Sequence, residues 1–289
     1  MPSLTRRERR KKLPLSYGQQ RLWFIDQLEP GSPAYNMPLA VRLKGRVDAD
    51  ALEQCLRQIV RRHEVLRTRF VMEEGETVQV IEPEWGGRLQ QVDLSGWEGS
   101  KQEQEQEVER RAGEEALAGF DLGHGPLLRA QLMKVGEQEH VLLLTLHHIV
   151  SDGWSMGLLL GELGKLYGRY AGEGGESKEG GAEGGEELSE PGVQYGDYAV
   201  WQREWLQGEV LEGQLRYWRE QLEGMEVLEL PTDRERPEVA SRRGGCVRMR
   251  IGEEQTRKLR ELGRGEGATL FMVLLGGLQV VLGLSLIHI

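Results

Sequence analysis

The sequence predicts an α/β protein with two lobes, and three features of the chain support this assignment. Segments that alternate apolar and polar residues, as strands do, are interleaved with segments that have the helical period of about 3.6 residues. A Gly/Glu-rich stretch at 171–192 interrupts this pattern. Strand and helix signals are present on both sides of that stretch, which is typical of two separately layered α/β units.

The first lobe is predicted to hold strands and helices in alternation up to residue 170. Its first helix can be capped by Asp48 or Asp50, and an apolar stripe follows at helical spacing. The last strand is apolar at nearly every position, as expected at the centre of a sheet. In order, we predict a strand at 37–47, a helix from 48, two strands within 69–84, a charged outer helix at 99–118, a hairpin that turns at Gly136, and a helix after Gly153.

The segment 171–192 has no apolar face and is predicted to be a flexible linker. Two short helices are predicted between 193 and 224, where Tyr, Trp and Leu recur at helical intervals. A loop at 230–240, a strand near 245–251 and two further helices complete the chain. We saw no internal repeat.

Composition narrows the class of protein. The formal net charge of -10 argues against a nucleic-acid binder, which needs a basic face to neutralise phosphates. Cys55 and Cys246 lie far apart, which fits a reducing compartment and gives no zinc or disulfide framework. No secretory signal is expected, and the apolar stretch 270–287 is interrupted enough to favour a buried helix over a membrane span. The sequence therefore predicts a soluble, cytoplasmic protein.

The stretch "LLLTLHHIVSDGWS" holds the candidate chemistry, because two of only six histidines stand side by side after an apolar run. Strand alternation turns His147 and His148 to opposite faces, which disfavours a metal site. Two interpretations stay open: a pair of hydrogen-bonded core histidines, or a general base. The second also accounts for Asp152, which can fix the turn, and for Gly153, which lets backbone N–H groups approach a substrate carbonyl.

Ser151 lies within the same stretch, but no G-x-S-x-G turn surrounds it. A serine nucleophile is therefore not favoured, and none is required if the substrate supplies the nucleophile.

Four ordered motifs resemble the condensation domains of nonribosomal peptide synthetases, which are related to chloramphenicol acetyltransferase and other HxxxD acyltransferases. "HHIVSDGWS" is similar to the HHxxxDG motif of that family, and "LSYGQQRLWF" to its S-x-x-Q-x-R-L-W opening. "RRHEVLRTRF" is similar to R-H-E-x-L-R-T-x-F, and "YGDYAVWQ" to Y-x-D-Y-A-x-W-Q. The resemblance implies a chloramphenicol acetyltransferase-like lobe, a mixed sheet flanked by helices, followed by the beginning of a second, similar lobe.

The resemblance also implies roles for individual residues. His148 would deprotonate or orient the α-amine of an acceptor aminoacyl thioester as it attacks a donor thioester, and His147 would be mainly structural. Asp152 would pair with Arg67 to hold the loop. Gly153 would keep the substrate channel open and offer its backbone N–H near the thioester.

Tryptophans are predicted to pack in the core or between lobes, and not to contact substrate. These are Trp154, Trp201, Trp205 and Trp218.

No bound cofactor is implied, because the phosphopantetheine arms arrive on partner proteins. Those partners would be donor and acceptor peptidyl carrier proteins and the adenylation domain of the same synthetase, with no nucleic acid and no membrane. By the resemblance, residues 1–14 are an interdomain linker, 15–170 the N-terminal lobe and 193–289 a truncated C-terminal lobe.

Two other functions stay open at this point. The chain could be an inactive fragment that serves at most as a carrier-docking module, since later motifs of the family are absent. It could also be an epimerisation domain, which shares HHxxxDG but needs one carrier only. The two histidines disfavour a heterocyclisation domain, and a metal-dependent hydrolase is a more distant alternative.

Overall fold

The computed structural model describes residues 2–6, 12–171, 188–227 and 249–286, with positions 230, 232, 234, 235, 237, 238 and 247. Residues 172–187 of the predicted linker lie outside the described residues, as do 245, Cys246 and 248 of the predicted strand at 245–251. At the described positions of that predicted strand, 247 and 249–251, the backbone is not in a strand.

The chain separates into two compact units, Met1–Leu228 and Glu229–Ile289. This differs from the predicted boundary at 193, because residues 193–227 belong with the first unit. The reason is local packing: Gln194 accepts a hydrogen bond from the backbone N–H of Glu64 at 3.1 Å, and Gln202 accepts one from that of Tyr17 at 2.9 Å.

A four-stranded mixed sheet forms the centre of the first unit, with strand order β2-β7-β6-β5. Only the β5–β6 pair is parallel. The mixed sheet flanked by helices confirms the predicted α/β class. Its strands are β2 (Asn36–Lys44), β5 (Leu89–Asp93), β6 (Leu128–Gly136) and β7 (Glu139–His147).

β7 is one of the two inner strands of this sheet, and residues 140–147 are all buried, as its apolar sequence predicts. Leu142, Leu144 and Leu146 point to the larger of two apolar clusters, together with α2 (Ala49–Arg62) and α4 (Gly153–Tyr170). Leu143 points to the opposite face and packs in the smaller cluster. β7 pairs with β2 on one side and β6 on the other, and it ends at His147.

A second sheet of three strands has the order β1-β4-β3 and is antiparallel throughout. The predicted E-G-E turn joins two of its strands, with positive φ at Glu74 (52°) and Gly75 (86°), as a two-residue hairpin turn requires. The sequence patterns do not predict β1, the helix α1 (Tyr17–Leu28) that follows it, or β5 of the four-stranded sheet. The strands are β1 (Lys12–Pro14), β3 (Thr68–Glu73) and β4 (Glu76–Ile81).

Helices cover both faces of the four-stranded sheet, and the predicted helices of the first lobe are present. Asp48 is the N-cap of α2, since its side chain accepts from the N–H groups of Asp50 and Ala51. The remaining helices of the first unit are α1 (Tyr17–Leu28), α3 (Lys101–Leu117), α5 (Tyr195–Trp205) and α6 (Gly208–Leu222).

The second unit contains two described helices, α7 (Glu253–Gly265) and α8 (Leu270–Leu286). Large apolar side chains of α8 are exposed, among them Phe271 at 71% and Leu284 at 65%. Within the described part of the chain, no single helix is long and apolar enough to cross a membrane. α7 and the 270–284 part of α8, bent by 104°, pass that test of length and composition only as a pair.

Candidate active site

The candidate site lies where β7 leaves the sheet. His147 is the last strand residue and is 2% exposed, whereas the next side chain, His148, is exposed. The backbone N–H of His148 donates to the carbonyl of Tyr35 at 2.9 Å, beside the start of β2. The two histidines therefore face opposite environments, as strand alternation predicts.

His147 is enclosed by aromatic rings and by the backbone of the loop that it begins. Its ring packs edge-on against Phe120, with centroids 5.9 Å apart, and its Nδ1 accepts the N–H of Ile149 at 3.1 Å. Burial, helped by the neighbouring His148, lowers the pKa of His147 to about 4. His147 is therefore neutral at pH 7, with its proton on Nε2.

His148 has its proton on the other ring nitrogen. Its Nδ1 lies 2.8 Å from the carbonyl oxygen of Ser151, and a carbonyl can only accept a hydrogen bond. The neutral ring therefore has its proton on Nδ1 and a lone pair on Nε2. An exposed imidazole in this tautomer can accept a proton from a bound nucleophile through Nε2. Ser151 thus contributes to the site through its backbone carbonyl.

Asp152 is the N-cap of α4. Its carboxylate accepts from the backbone N–H of Ser155 at 2.8 Å and from the Ser155 hydroxyl at 2.6 Å. These hydrogen bonds, with a smaller contribution from the charge of His148, hold the pKa of Asp152 below its usual range. Asp152 thereby fixes the corner at which the loop becomes a helix.

The structure differs from the predicted Asp152–Arg67 pair. The guanidinium of Arg67 donates to the carbonyl of Glu82 and lies 3.7 Å from the carboxylate of Glu64. Among the ion pairs of the residues described, none joins Arg67 to Asp152. The reason is that the carboxylate of Asp152 binds its own helix, while the side chain of Arg67 contacts Glu82, just after β4, and Glu64, two residues after α2.

Gly153 is the first residue of α4, and its missing side chain leaves open space. A Cβ built on Gly153 would meet no atom within 4 Å. The φ of Gly153 is not in the left-handed region, so the backbone itself does not require glycine there. This geometry agrees with a glycine whose small size leaves room for a bound molecule above it.

The predicted packing of the tryptophans holds for two of the four. Trp201 is 8% exposed and stacks on Trp205, with ring centroids 5.0 Å apart. Trp154 is 80% exposed and Trp218 56% exposed, so neither packs in the core, and packing between lobes stays a prediction for both. Trp154 directly follows Gly153 on the first turn of α4, where the helix faces solvent.

Other reactive groups of the described residues offer no competing site. Cys55 is fully buried, and burial raises the pKa of its thiol to about 11, so it is not a nucleophile at neutral pH. No three His, Cys, Asp or Glu side chains among the residues that the structure describes are grouped to hold a metal ion.

Sequence reasoning missed three contributors to the site. The carbonyls of Tyr35 and Ser151 orient the two sides of His148, but a backbone group leaves no signal in the sequence. Gln19 contacts the loop from the core. Its signal was available, since Gln19 lies in the "LSYGQQRLWF" motif and a glutamine on a buried helix face needs polar partners.

Comparison with known sequences identifies close relatives of the whole chain. A family model described as Condensation domain matches residues 9–284. A linear gramicidin synthase of Brevibacillus parabrevis is 48% identical over 275 residues, which are 95% of this chain and 5% of that protein. Malpinin synthetase of Mortierella alpina is 43% identical over 281 residues, 97% of this chain and 3% of that protein. The chain thus spans about a twentieth or less of these relatives.

Solved structures resemble the chain over most of its length. The X-domain in a complex with OxyB from teicoplanin biosynthesis aligns with a TM-score of 0.75 at 31% identity, covering 93% of this chain and 56% of that one. A four-domain nonribosomal peptide synthetase bound to AMP and glycine aligns with a TM-score of 0.74 at 26% identity, covering 95% of this chain and 20% of that one.

Proposed function

The chain belongs to the condensation-domain family, and from this we propose that it forms peptide bonds in nonribosomal peptide synthesis. The amine of an acceptor aminoacyl thioester attacks the carbonyl carbon of a donor acyl or peptidyl thioester. A C–N bond forms, the C–S bond breaks and the donor thiol is released.

The observation that carries this proposal is the tautomer of His148. With Nδ1 committed to the Ser151 carbonyl, Nε2 is the basic atom that the exposed ring offers to substrate. Nε2 accepts the proton that the attacking nitrogen loses and can return it to the departing sulfur. The reaction is an intrinsically favourable aminolysis, so holding two substrates together supplies much of the acceleration and one histidine suffices.

We assign to Gly153 and the start of α4 the stabilisation of the charge that develops on the thioester carbonyl. Asp152 binds the N–H of Ser155, so the first turn of the helix is held in place. In this proposal the N–H of Gly153, at the positive end of the helix dipole, faces the thioester carbonyl as it gains negative charge. Open space over Gly153 leaves room for the substrate.

Partners follow from the same proposal. Both thioesters are carried on phosphopantetheine arms of a donor and an acceptor peptidyl carrier protein, and an adenylation domain of the same synthetase loads the carrier. The protein itself needs no bound cofactor, and a cytoplasmic location stays a prediction. The relatives that support this are synthases and synthetases, and one solved neighbour is a four-domain synthetase.

The test is dipeptidyl thioester formation between two loaded carriers, followed by mass spectrometry of the acceptor carrier. It is run on this chain and on a synthetase that contains it. We expect His148→Ala to lower turnover about a hundredfold or more, in line with the loss of a general base. His124→Ala is the matched control, because that side chain is 88% exposed and its ring contacts Asp121 and not the histidine motif.

Two results would contradict the proposal. Turnover that survives in His148→Ala would show that His148 is not the general base. An inverted α-carbon on a single loaded carrier, with no dipeptide formed, would indicate an epimerisation domain instead.

A further inference from the structure

Two buried glutamines lie behind the loop that holds the histidines. Gln19 of α1 and Gln79 of β4 are each 2% exposed. Burying an amide costs free energy unless its donors and acceptors are paired. An apolar side chain would be the ordinary choice at such buried positions, so these two amides need hydrogen-bond partners.

The two amides are paired with each other and with the backbone. Nε2 of Gln19 donates to Oε1 of Gln79 at 3.1 Å and to the carbonyl of Ile149 at 3.4 Å. Oε1 of Gln19 accepts the N–H of Ser16 at 3.1 Å, and Nε2 of Gln79 donates to the carbonyl of Pro14 at 2.8 Å. Because a backbone N–H can only donate, the contact with Ser16 fixes which end of the Gln19 amide faces the loop.

Ile149 lies in the loop after β7, and both its backbone N–H and its carbonyl form hydrogen bonds with side chains. Its N–H donates to His147, and its carbonyl accepts from Gln19. The next residues bring the Ser151 carbonyl to within 2.8 Å of Nδ1 of His148. Gln19 therefore holds the backbone two residues before Ser151, whose carbonyl sets the tautomer of His148.

We propose that Gln19 is a positioning residue for His148: by holding the Ile149 carbonyl from the core, it keeps the Ser151 carbonyl on Nδ1 and leaves Nε2 basic. The effect on turnover rests on the proposed function, whereas the effect on the tautomer does not. Gln19 touches no substrate in this role.

The Ile149 carbonyl needs a side chain as its partner for a geometric reason. The loop has left the sheet, so the Ile149 carbonyl has no strand partner, and a buried carbonyl without a partner would pull the loop toward water. A histidine side chain without such a contact favours the opposite tautomer, with the proton on Nε2. The Nδ1–H form of an exposed histidine therefore depends on a carbonyl that stays in place.

The experiment is ¹⁵N NMR of the histidine side chains in the full chain, with the His148 signals assigned by their loss in His148→Gln. In the wild type we expect a protonated Nδ1 and an unprotonated Nε2. Gln19→Met has similar length but no amide, and we expect it to shift the population of His148 toward the Nε2–H form. If this variant does not fold, Gln19→Leu replaces it, because it is also apolar and has no donor for the Ile149 carbonyl.

Two controls separate positioning from general destabilisation. Gln27→Met changes an exposed glutamine of the same helix and should leave the tautomer unchanged. Gln79→Met removes a partner of Gln19 but leaves the contact with Ile149, so it should disturb the tautomer less than Gln19→Met. An unchanged tautomer in the Gln19 variant, or equal shifts in the Gln19 and Gln79 variants, would overturn the proposal.

Turnover provides the second measurement. In a synthetase with measurable activity, we expect Gln19→Met to lower kcat about tenfold or more with little change in KM, since it misaligns a base without removing a binding contact. A shifted tautomer with unchanged kcat would overturn the kinetic half of the proposal. Absence of dipeptide in the wild type, with the tautomer shift intact, would overturn the proposed function and leave the positioning role standing.

Discussion

His147 and His148 are neighbours in the chain, yet in neutral form they hold their protons on opposite ring nitrogens. The backbone decides this in both cases: an N–H group donates to Nδ1 of His147, and a carbonyl accepts from Nδ1 of His148. Burial adds to the difference, because only His147 is removed from water. Two identical side chains thus become a structural brace and a candidate base.

The first prediction concerns the pH dependence of stability. Because the pKa of His147 falls from 6.5 to about 4 on folding, the unfolded chain binds a proton below pH 6.5 that the folded protein does not accept until about pH 4. This histidine therefore lowers the free energy of unfolding as pH falls across that window, by at most about 3 kcal/mol. His147→Asn keeps an acceptor near the position of Nδ1 and cannot titrate.

Urea denaturation between pH 4 and 7 measures this effect. We expect the slope of stability against pH to be shallower in His147→Asn than in the wild type. Parallel curves for the two proteins would mean that His147 is not the residue that resists protonation.

The second prediction separates folding from function at Gly153. An added methyl group meets open space and no positive φ, so Gly153→Ala should change the free energy of unfolding by less than about 1 kcal/mol. If substrate passes over this position, turnover should fall at least tenfold. Gly157→Ala, one turn later and also in open space, is the control and should leave turnover unchanged. Equal activities in the two variants would exclude passage of substrate over Gly153.

At the scale of elements, α4 begins where it does because Asp152 caps it. The sequence indicated the helix through its apolar stripe, and three members of that stripe, Leu159, Leu163 and Leu166, are buried. It did not indicate what the carboxylate of Asp152 binds. A helix cap and an ion pair with a distant arginine both place an aspartate before a helix, and only the fold distinguishes them.

The third prediction tests this distinction with a double-mutant cycle. Asp152→Ala should destabilise the protein by about 1 kcal/mol through loss of the cap, and Asp152→Ser, which keeps a capping oxygen, by less. Arg67→Ala should add to Asp152→Ala within about 0.5 kcal/mol, because the two side chains have no shared contact. A coupling energy above about 1 kcal/mol, measured by chemical denaturation, would restore the ion pair that the sequence motif implies.

At the scale of the whole molecule, the described fold is the chloramphenicol acetyltransferase-like fold of condensation domains, and its first unit extends beyond the segment that we predicted to be the linker. α5 supplies Ala199, which is fully buried, and Trp201, which is 8% exposed. The described residues before 172 and those at 188–227 therefore belong to one unit. This could not be read from the sequence, because a Gly/Glu-rich stretch looks the same between two units and within one.

The fourth prediction follows from that boundary. A chain cut after residue 192 should lose more than about 3 kcal/mol relative to one cut after residue 228, since it leaves the surface under α5 uncovered. Point variants give the matched comparison: Trp201→Ala should cost about 3 kcal/mol and Trp218→Ala less than about 1 kcal/mol, in keeping with their burial. Equal midpoints of urea unfolding for the two shortened chains would place the boundary at 193 after all.

Sequence patterns are enough to predict the α/β class, the family, the separation of His147 from His148, and the helices and strands of the first lobe other than β1, α1 and β5. Each of these depends on local periodicity or on residues that are close along the chain. The tertiary structure alone decided the partners of Arg67 and Asp152, the exposure of Trp154, the docking of α5 and the contact of Gln19 with Ile149. Those contacts join residues distant in sequence, and many involve backbone groups that every residue possesses. Only the folded chain determines which of these groups meet.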